Sequence, residues 1–394
     1  MIVDELRIVG STQTNVVMIA ELTRVAQRAL KKRPPNPRKE GLGQLVMPFD
    51  RDLAWAAVTY MRTPTRVMWD VARSSAKRLE PLYDELLADL STDGRVLWKD
   101  GDGISVEARR VEEFAAGERQ VVGVVKNAII DAARKRGARL HVDAERPAAR
   151  WVARMDDKGD IVVSIDLGGG SLSRRGWRAE AGDAPLREHL AAVLLMLARF
   201  DPRTDLLVDP MCGSGTIPIE AIHAARAVPR TTPMLAALGI TGPEGQEGRA
   251  PEPLFADAQP IAIGCDLDLE VLAAARDNAK AAGVSADVTW QRADVATLRP
   301  EVIAEIARER GRPDAKGLIL SNPPYGERLN EADVRELYGA LAFTVRKFKG
   351  WRAGFIVGNP LFEQVFFGII GPPRIKKPLA NANLRAYFYL FDVP

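Results

Sequence analysis

Apolar residues along this chain change period repeatedly, and each change marks an element. Met18 to Lys32 carries an amphipathic helical pattern that stops at Pro34-Pro35. Beyond it, Lys31 to Lys39 is a basic, proline-broken link, either a contact for phosphates or a plain polar linker. Arg62-Thr63-Pro64-Thr65-Arg66 follows a short strand-like run and is expected to open an apolar helix over Val67 to Leu79. Gly103 to Arg110 alternates like a strand, Gln120 to Arg136 reads as a helix, and 148–166 is strand-rich. Gly168-Gly169-Gly170-Ser171 then forms a turn ahead of a strongly apolar helix over Pro185 to Phe200. From there short apolar runs alternate with helical patterns. Leu206 to Val208, Ile261 to Cys265, Asp287 to Arg292, Gly317 to Leu320, Gly354 to Val357 and Tyr387 to Val393 read as strands. Ile217 to Ile222 and Leu269 to Ala282 read as helices, the second stopping at Gly283 as its C-cap. Such alternation predicts an open α/β sheet. Residues 228–260, rich in Pro, Gly and Ala, are expected to form a loose loop.

Several of these runs end in polar groups, at the edge where open α/β sheets bind ligands. Leu206-Leu207-Val208 leads into Asp-Pro-Met-Cys-Gly-Ser-Gly-Thr at 209–216, a strand, glycine-rich turn and helix in succession. Gly213 and Gly215 permit positive φ and close backbone approach. The spacing is neither G-x-G-x-x-G nor a P-loop. Instead an acid, Asp209, closes the strand, placed for the amino end of an amino-acid-like cofactor. Asp266 closes the next strand, suited to ribose hydroxyls, and Asp294 follows the third, suited to an adenine amino group. Each acid alone is more often a cap or a solvated turn residue. The fourth strand ends in Ser321-Asn322-Pro323-Pro324-Tyr325. Two prolines fix two φ angles and remove two donors, which leaves the carbonyls of Asn322 and Pro323, with the Asn322 side chain, as acceptors for an exocyclic NH2. Tyr325 offers a face for a planar base.

Four acceptor positions at four successive strand ends resemble the class I S-adenosylmethionine-dependent methyltransferases. With Ser171 to Arg178 and Ala184 to Ala192, the pattern is similar to the RNA guanine-N2 methyltransferases that act on large-subunit rRNA and on tRNA. The resemblance implies a Rossmann-like domain, a mostly parallel seven-stranded sheet with an antiparallel last strand, at 169–394. It implies a THUMP RNA-binding domain at 96–168 and a ferredoxin-like region at 1–95. Carried over, Asp209, Met211, Gly213, Gly215, Thr216, Asp266, Asp294 and Asn322 line the S-adenosylmethionine site. Asn322, Pro323, Pro324 and Tyr325 form the catalytic turn. The family's usual tyrosine in the Arg-Gly-Tyr-Arg run is Trp177 here. Methylation of adenine N6, of cytosine N4 and of a release-factor glutamine amide uses the same Asn-Pro-Pro-Tyr turn; Gly326-Glu327-Arg328-Leu329 and a basic front half favour guanine N2 in RNA.

Composition adds limits. At 394 residues the chain needs two or three domains. Net charge is only +3, but residues 1–180 carry 31 Lys/Arg against 26 Asp/Glu, and the remainder 24 against 26. The basic excess thus lies ahead of the chemical motifs, and Arg109, Arg110, Lys126, Lys135 and Arg136 are candidates for RNA phosphates. Arg174, Arg175 and Arg178, with Trp177 between them, are candidates for a base or phosphate beside the active site. Cys212 and Cys265 fit a reducing cytoplasm rather than a disulfide framework. His141, His189 and His223 are scattered, so no metal site is expected. No apolar run reaches the length of a membrane span. The expected function is methylation of large-subunit rRNA, with tRNA as the alternative substrate and a silent RNA-binding assembly factor as the rival class.

Overall fold

The computed structural model describes residues 1–394 except 179–185, 231, 245–248, 315, 325–329 and 382–383. Backbone contacts divide the chain into two compact units. The first comprises Met1–Gly10, Met18–Leu172 and Pro229–Pro251; the second comprises Ser11–Val17, Ser173–Val228 and Glu252–Pro394.

The front half runs β1 (Ile2–Val9), α1 (Asn15–Leu30), β2 (Arg38–Lys39), β3 (Gln44–Pro48), α2 (Arg51–Tyr60) and β4 (Arg66–Ser74). It continues through α3 (Leu79–Thr92), β5 (Gly103–Arg109), α4 (Glu118–Lys135), β6 (His141–Val142), β7 (Ala149–Met155) and β8 (Ile161–Asp166). Its strands form one eight-stranded sheet, ordered β2-β3-β1-β4-β8-β7-β5-β6. The sheet is continuous across position 95, because β4 pairs with β8 and β8 with β7. One expectation is reversed here. Val67 to Ser74 is a strand and the helix precedes it, started by Asp50, whose side chain accepts from the Leu53 amide at 2.8 Å. Both faces of β4 are covered, so its sequence lacks the polar alternation of a half-exposed strand.

Burying β4 places a charge inside. The Asp70 carboxylate is wholly buried and receives three neighbours: Arg7 Nε from β1 at 2.9 Å, Arg154 Nη2 from β7 at 3.2 Å and Ser164 Oγ from β8 at 2.6 Å.

The back half begins with α5 (Glu188–Leu197), β9 (Asp205–Asp209), α6 (Thr216–Arg226) and α7 (Pro233–Ala237). It goes on through β10 (Ile261–Asp266), α8 (Leu269–Ala281), β11 (Val288–Arg292), α9 (Pro300–Glu309) and β12 (Lys316–Ser321). It closes with α10 (Glu331–Val345), β13 (Arg352–Val357), α11 (Leu361–Ile369), β14 (Ile375–Asn381) and β15 (Leu384–Asp392). The seven strands are ordered β11-β10-β9-β12-β13-β15-β14. Six run in one direction, and β15 is antiparallel to both of its neighbours. Leu190, Ile219 and Ile222 of α5 and α6 pack on one face of the sheet against Leu207, Leu318 and Leu390. On the other, Ile303, Leu341 and Phe362 of α9, α10 and α11 pack against Val208, Ile319 and Phe391. Strand order reverses at β9, so the ends of β9, β10 and β12 meet at a topological switch point.

The stretch expected to be a loose loop is different. Residues 229–251 cluster with the first unit, and Met234, Leu235, Leu238 and Ile240 within them are buried. These apolar side chains fall in one run of seven residues, Met234 to Ile240, too short to show a period between its Pro- and Gly-rich flanks.

Candidate functional site

The glycine turn after β9 is held from all sides. Gly213 and Gly215 have φ of +52° and +84°. A Cβ on Gly215 would stand 2.5 Å from the ring of Trp290, and one on Gly264 only 2.4 Å from it. Trp290 of β11 therefore fills the space that two glycines leave open. Backbone pins complete the turn: the Cys212 amide donates to the Cys265 carbonyl at 2.8 Å, and the Gly213 amide to Asp266 Oδ2 at 3.0 Å. Asn278 Nδ2 donates to the Ser214 carbonyl at 3.0 Å. Arg178 reaches in from the preceding segment, donating to Thr216 Oγ1 at 2.9 Å and to Ser214 Oγ at 3.3 Å. Its guanidinium is itself held by Glu188 at 3.0 Å.

Asp209, at the end of β9, is only 2% exposed. Its Oδ1 accepts from Ser321 Oγ at 2.6 Å and from the Met211 amide at 3.2 Å. Among the described residues no cation pairs with it. Burial pushes its pKa up to about 7, with Asp266 adding to the rise and the two donors opposing it. Cys212 and Cys265 are pushed up as well, first by burial and then by these carboxylates. Asp266 is partly buried, its second oxygen taking the Asp268 amide at 3.2 Å. Asp294 is exposed and accepts from the Ala296 amide at 2.9 Å, capping a short turn. Met211 is half-buried beside these acids.

At the end of β12, Ser321 and Pro323 are buried, Asn322 is half-buried and Pro324 is exposed. The Pro324 carbonyl accepts from Tyr338 Oη of α10 at 3.0 Å, which pins the proline turn to the helix behind it. Tyr325, the expected stacking residue, lies outside the described residues. The geometry thus brings Asp209, Met211, Gly213, Gly215, Thr216 and Asp266 together with the start of the Asn-Pro-Pro turn, through Ser321.

The candidates for RNA contact divide. Arg109 and Arg110 point outward with partial ion pairing, to Glu107 at 3.0 Å and Asp157 at 2.9 Å. Lys135 and Arg174 are exposed and Lys126 is half-buried. Three expectations are corrected. Arg136 turns inward, donating to the Arg95 carbonyl at 2.6 Å with its guanidinium 4.9 Å from the Trp98 ring centre. The Arg175 side chain is buried as the counter-charge of the wholly buried Glu220, at 3.3 Å. Trp177 is 4% exposed and packs in the core with Leu186 and Leu190, where no base can reach it. Arg175 and Arg178 of this run spend their charges on α6, α5 and the glycine turn. Nearby His189 donates or accepts at Ser11 Oγ, 2.8 Å away, and stays neutral because burial, then Arg175 and Arg187, depress its pKa to about 3.

Ser321, Arg178, Trp290 and Tyr338 are the parts that motif reading did not assign to these roles. Ser321 had a visible signal, since it abuts the proline turn and ends an apolar strand. Arg178 lay in a run singled out for a base or phosphate, while Trp290 and Tyr338 act across the fold and carry no local signal. Among the described residues there is no group of three His, Cys, Asp or Glu able to hold a metal ion, and no helix long and apolar enough to cross a membrane.

Residues 175–368 match the family described as RMKL-like, methyltransferase domain. A "Ribosomal RNA large subunit methyltransferase K/L" of Syntrophotalea carbinolica is 34% identical over 87% of this chain and 48% of its own length. The chain thus spans about half the length of that relative. Two solved structures share the whole fold. One, described as a predicted N6-adenine-specific DNA methylase from Listeria monocytogenes, aligns with a TM-score of 0.79 at 24% identity over 99% of this chain and 96% of its own. The other, SMU.472, described as a putative methyltransferase complexed with SAH, aligns at 0.76 and 24% over 99% and 98%. The chain shares the Rossmann-like methyltransferase fold of these two structures, and the second of them is complexed with SAH. The residues present suit such a ligand: Asp209 is a buried carboxylate with no cation on it among the described residues, and open space lies beside Gly213 for a zwitterionic amino acid.

Proposed function

We propose that this protein is a S-adenosylmethionine-dependent RNA methyltransferase acting on the exocyclic N2 of an unpaired or flipped guanine in large-subunit rRNA. The observation that carries the reading is the hydrogen bond from Ser321 to Asp209, which ties the acceptor turn to the cofactor edge. The name of the 34%-identical relative supports rRNA as the substrate. The front half, with a THUMP domain at 96–168 and a ferredoxin-like companion before it, would grip the RNA through Arg109, Arg110, Lys126 and Lys135. A cytoplasmic enzyme fits this substrate.

The cofactor, when bound, supplies an electrophilic methyl group. Asp209 would hold its ammonium, Asp266 its ribose and Asp294 its adenine side. The guanine amino group is a poor nucleophile because its lone pair is delocalised. Asn322 Oδ1 and the Pro323 carbonyl would accept its two protons, and these bonds strengthen as positive charge grows on nitrogen during attack. Tyr338 pre-sets the turn by fixing the Pro324 carbonyl, so little reorganisation remains. Tyr325 would stack on the base. No strong base is needed in the turn; the proton leaves to solvent after transfer. A paired base cannot enter, so the target must be extruded or single-stranded.

The test is a methyl-label assay with separate tRNA and deproteinised rRNA pools, followed by nucleoside analysis. N2-methylguanosine in the rRNA pool is expected. Asn322→Ala should remove turnover by at least roughly a hundredfold, the scale of a lost transition-state contact, while leaving S-adenosylhomocysteine affinity unchanged. Label in tRNA alone would move the substrate class, and label on adenosine would overturn the guanine assignment. Cofactor binding without turnover on any RNA would favour a silent assembly factor.

A further inference from the structure

We propose that the β14–β15 hairpin is a docking surface for the single-stranded RNA that flanks the target base, with Tyr387 as its stacking platform. This rests on the RNA methyl-transfer reading and adds where the strand lies.

The sheet register fixes the place. Ser321 pairs with Phe355, Phe355 with Tyr389, and Tyr389 with Lys376, so these four stand in one row across β12, β13, β15 and β14. Tyr387 lies two residues further along β15, opposite Val357 at the C-terminal end of β13. It is therefore at the edge where Asn322 begins the acceptor turn, two strand spacings away, or roughly 10 Å. Tyr389 and Phe391 on the same face of β15 are buried against α11, but Tyr387 is 38% exposed.

Its surroundings suit a polyanion. Lys376 Nζ lies 4.8 Å from the Tyr387 ring centre and is fixed there by Glu363 Oε1 at 2.6 Å. Tyr389 Oη donates to the same Glu363 oxygen at 2.6 Å, so the carboxylate is committed to holding the cation on the ring. Arg385 is exposed nearer the turn of the hairpin, and Lys377 is half-buried on the edge strand. The only acid of the hairpin, Asp392, is paired at the opposite end with Arg374 at 3.0 Å. Lysines and a proline on β14 also blunt an open sheet edge. Edge protection gives no reason for an exposed tyrosine beside them. An aromatic face flanked by cations is what sequence-tolerant binding of single strands requires, since every base has a π-face and every link a phosphate.

The experiment uses the full chain, a short mixed-sequence oligoribonucleotide and deproteinised rRNA, with S-adenosylhomocysteine affinity as the folding control. Tyr387→Ala should weaken oligonucleotide binding roughly five- to hundredfold, whereas Tyr387→Phe should bind as wild type. Arg385→Glu should weaken it as well and lower the salt dependence by about one phosphate contact. Unchanged binding and unchanged KM for rRNA in both Tyr387→Ala and Arg385→Glu, with cofactor affinity intact, would overturn the proposal. If the wild-type chain methylates RNA in that case, only this surface is wrong. If wild type binds cofactor yet neither binds nor methylates RNA, the functional reading itself has failed.

Discussion

Asp70 in the first unit and Asp209 in the second are both carboxylates buried in central strands, and the chain provides for them in opposite ways. Asp70 takes two guanidinium groups, Arg7 and Arg154, and the hydroxyl of Ser164. Asp209 takes one hydroxyl and one backbone amide, with no cation among the described residues. Desolvating a charge costs several kcal/mol, so an ionised acid inside a protein is paired, or gives up its charge. The first acid is paired within the folded chain; on the proposed reading the second is left to a ligand. A buried acid's missing counter-charge is thus more informative about function than its burial.

Removing each acid separates the two roles most sharply. Asp70→Ala strands two guanidiniums in the interior and should cost about 3–5 kcal/mol, the scale of a broken buried pair. Urea unfolding followed on the first unit should show its transition at much lower denaturant, with cofactor affinity spared in what stays folded. Asp209→Asn should do the reverse. It leaves stability nearly unchanged, because no cation is orphaned. It removes a charge-assisted bond to the cofactor's ammonium worth about 1.5–3 kcal/mol, so calorimetry should find S-adenosylhomocysteine bound roughly ten- to hundredfold more weakly. Equal destabilisation by both substitutions would erase the distinction.

The two regions were also unequally legible. Asp209 announced itself because it ends an apolar run and opens a glycine turn, and local order is all that motif reading needs. Six of the seven strands from β9 to β15, with helices α6 and α8, were visible for the same reason, whereas β14 and α9 to α11 were not read. Asp70 was hidden inside Val67 to Ser74, which lacks alternation because both faces are covered, so the segment passed for a helix. Its partners lie 63 and 84 residues away in the chain, beyond any local signal. Trp177 and Arg175 failed in the other direction. An aromatic among arginines suggests a nucleic-acid contact, yet Glu220 and the α5 core claimed them. Only the fold shows that a buried glutamate on α6 needed a partner. The exposed Tyr387 fell within a run read simply as a strand.

Protonation gives a graded version of the same contrast. The folded-state pKa of Asp209, about 7, stands above the ordinary 3.8. The folded chain therefore binds this proton more tightly than the unfolded chain does. Its contribution to stability is full below the ordinary carboxylate range and is lost as pH rises through about 7. Cofactor binding runs the other way, since an ammonium favours the ionised acid. Below pH 7 each molecule of S-adenosylhomocysteine bound should expel close to one proton, and affinity should fall up to about tenfold per pH unit. Calorimetry at pH 6 in buffers of different ionisation enthalpy reads that proton directly. It should vanish in Asp209→Asn, and its absence in wild type would mean that Asp209 is already ionised by a partner.

Ser321→Ala should have the smallest effect and bears most directly on how the site is joined. The hydroxyl is one of two donors holding the Asp209 carboxylate in its charged form, against burial and the neighbouring Asp266. Its loss should cost about 1 kcal/mol in stability at most. It should also let the pKa of Asp209 climb, so that the fall in S-adenosylhomocysteine affinity begins at higher pH than in wild type. Because Ser321 is the residue before Asn322, the same change loosens the acceptor turn from the cofactor edge, and kcat should drop more than KM rises. A displaced pH profile with unchanged kcat would confine Ser321 to tuning the acid. An unmoved profile would detach it from the cofactor site and leave the turn positioned by Tyr338 alone.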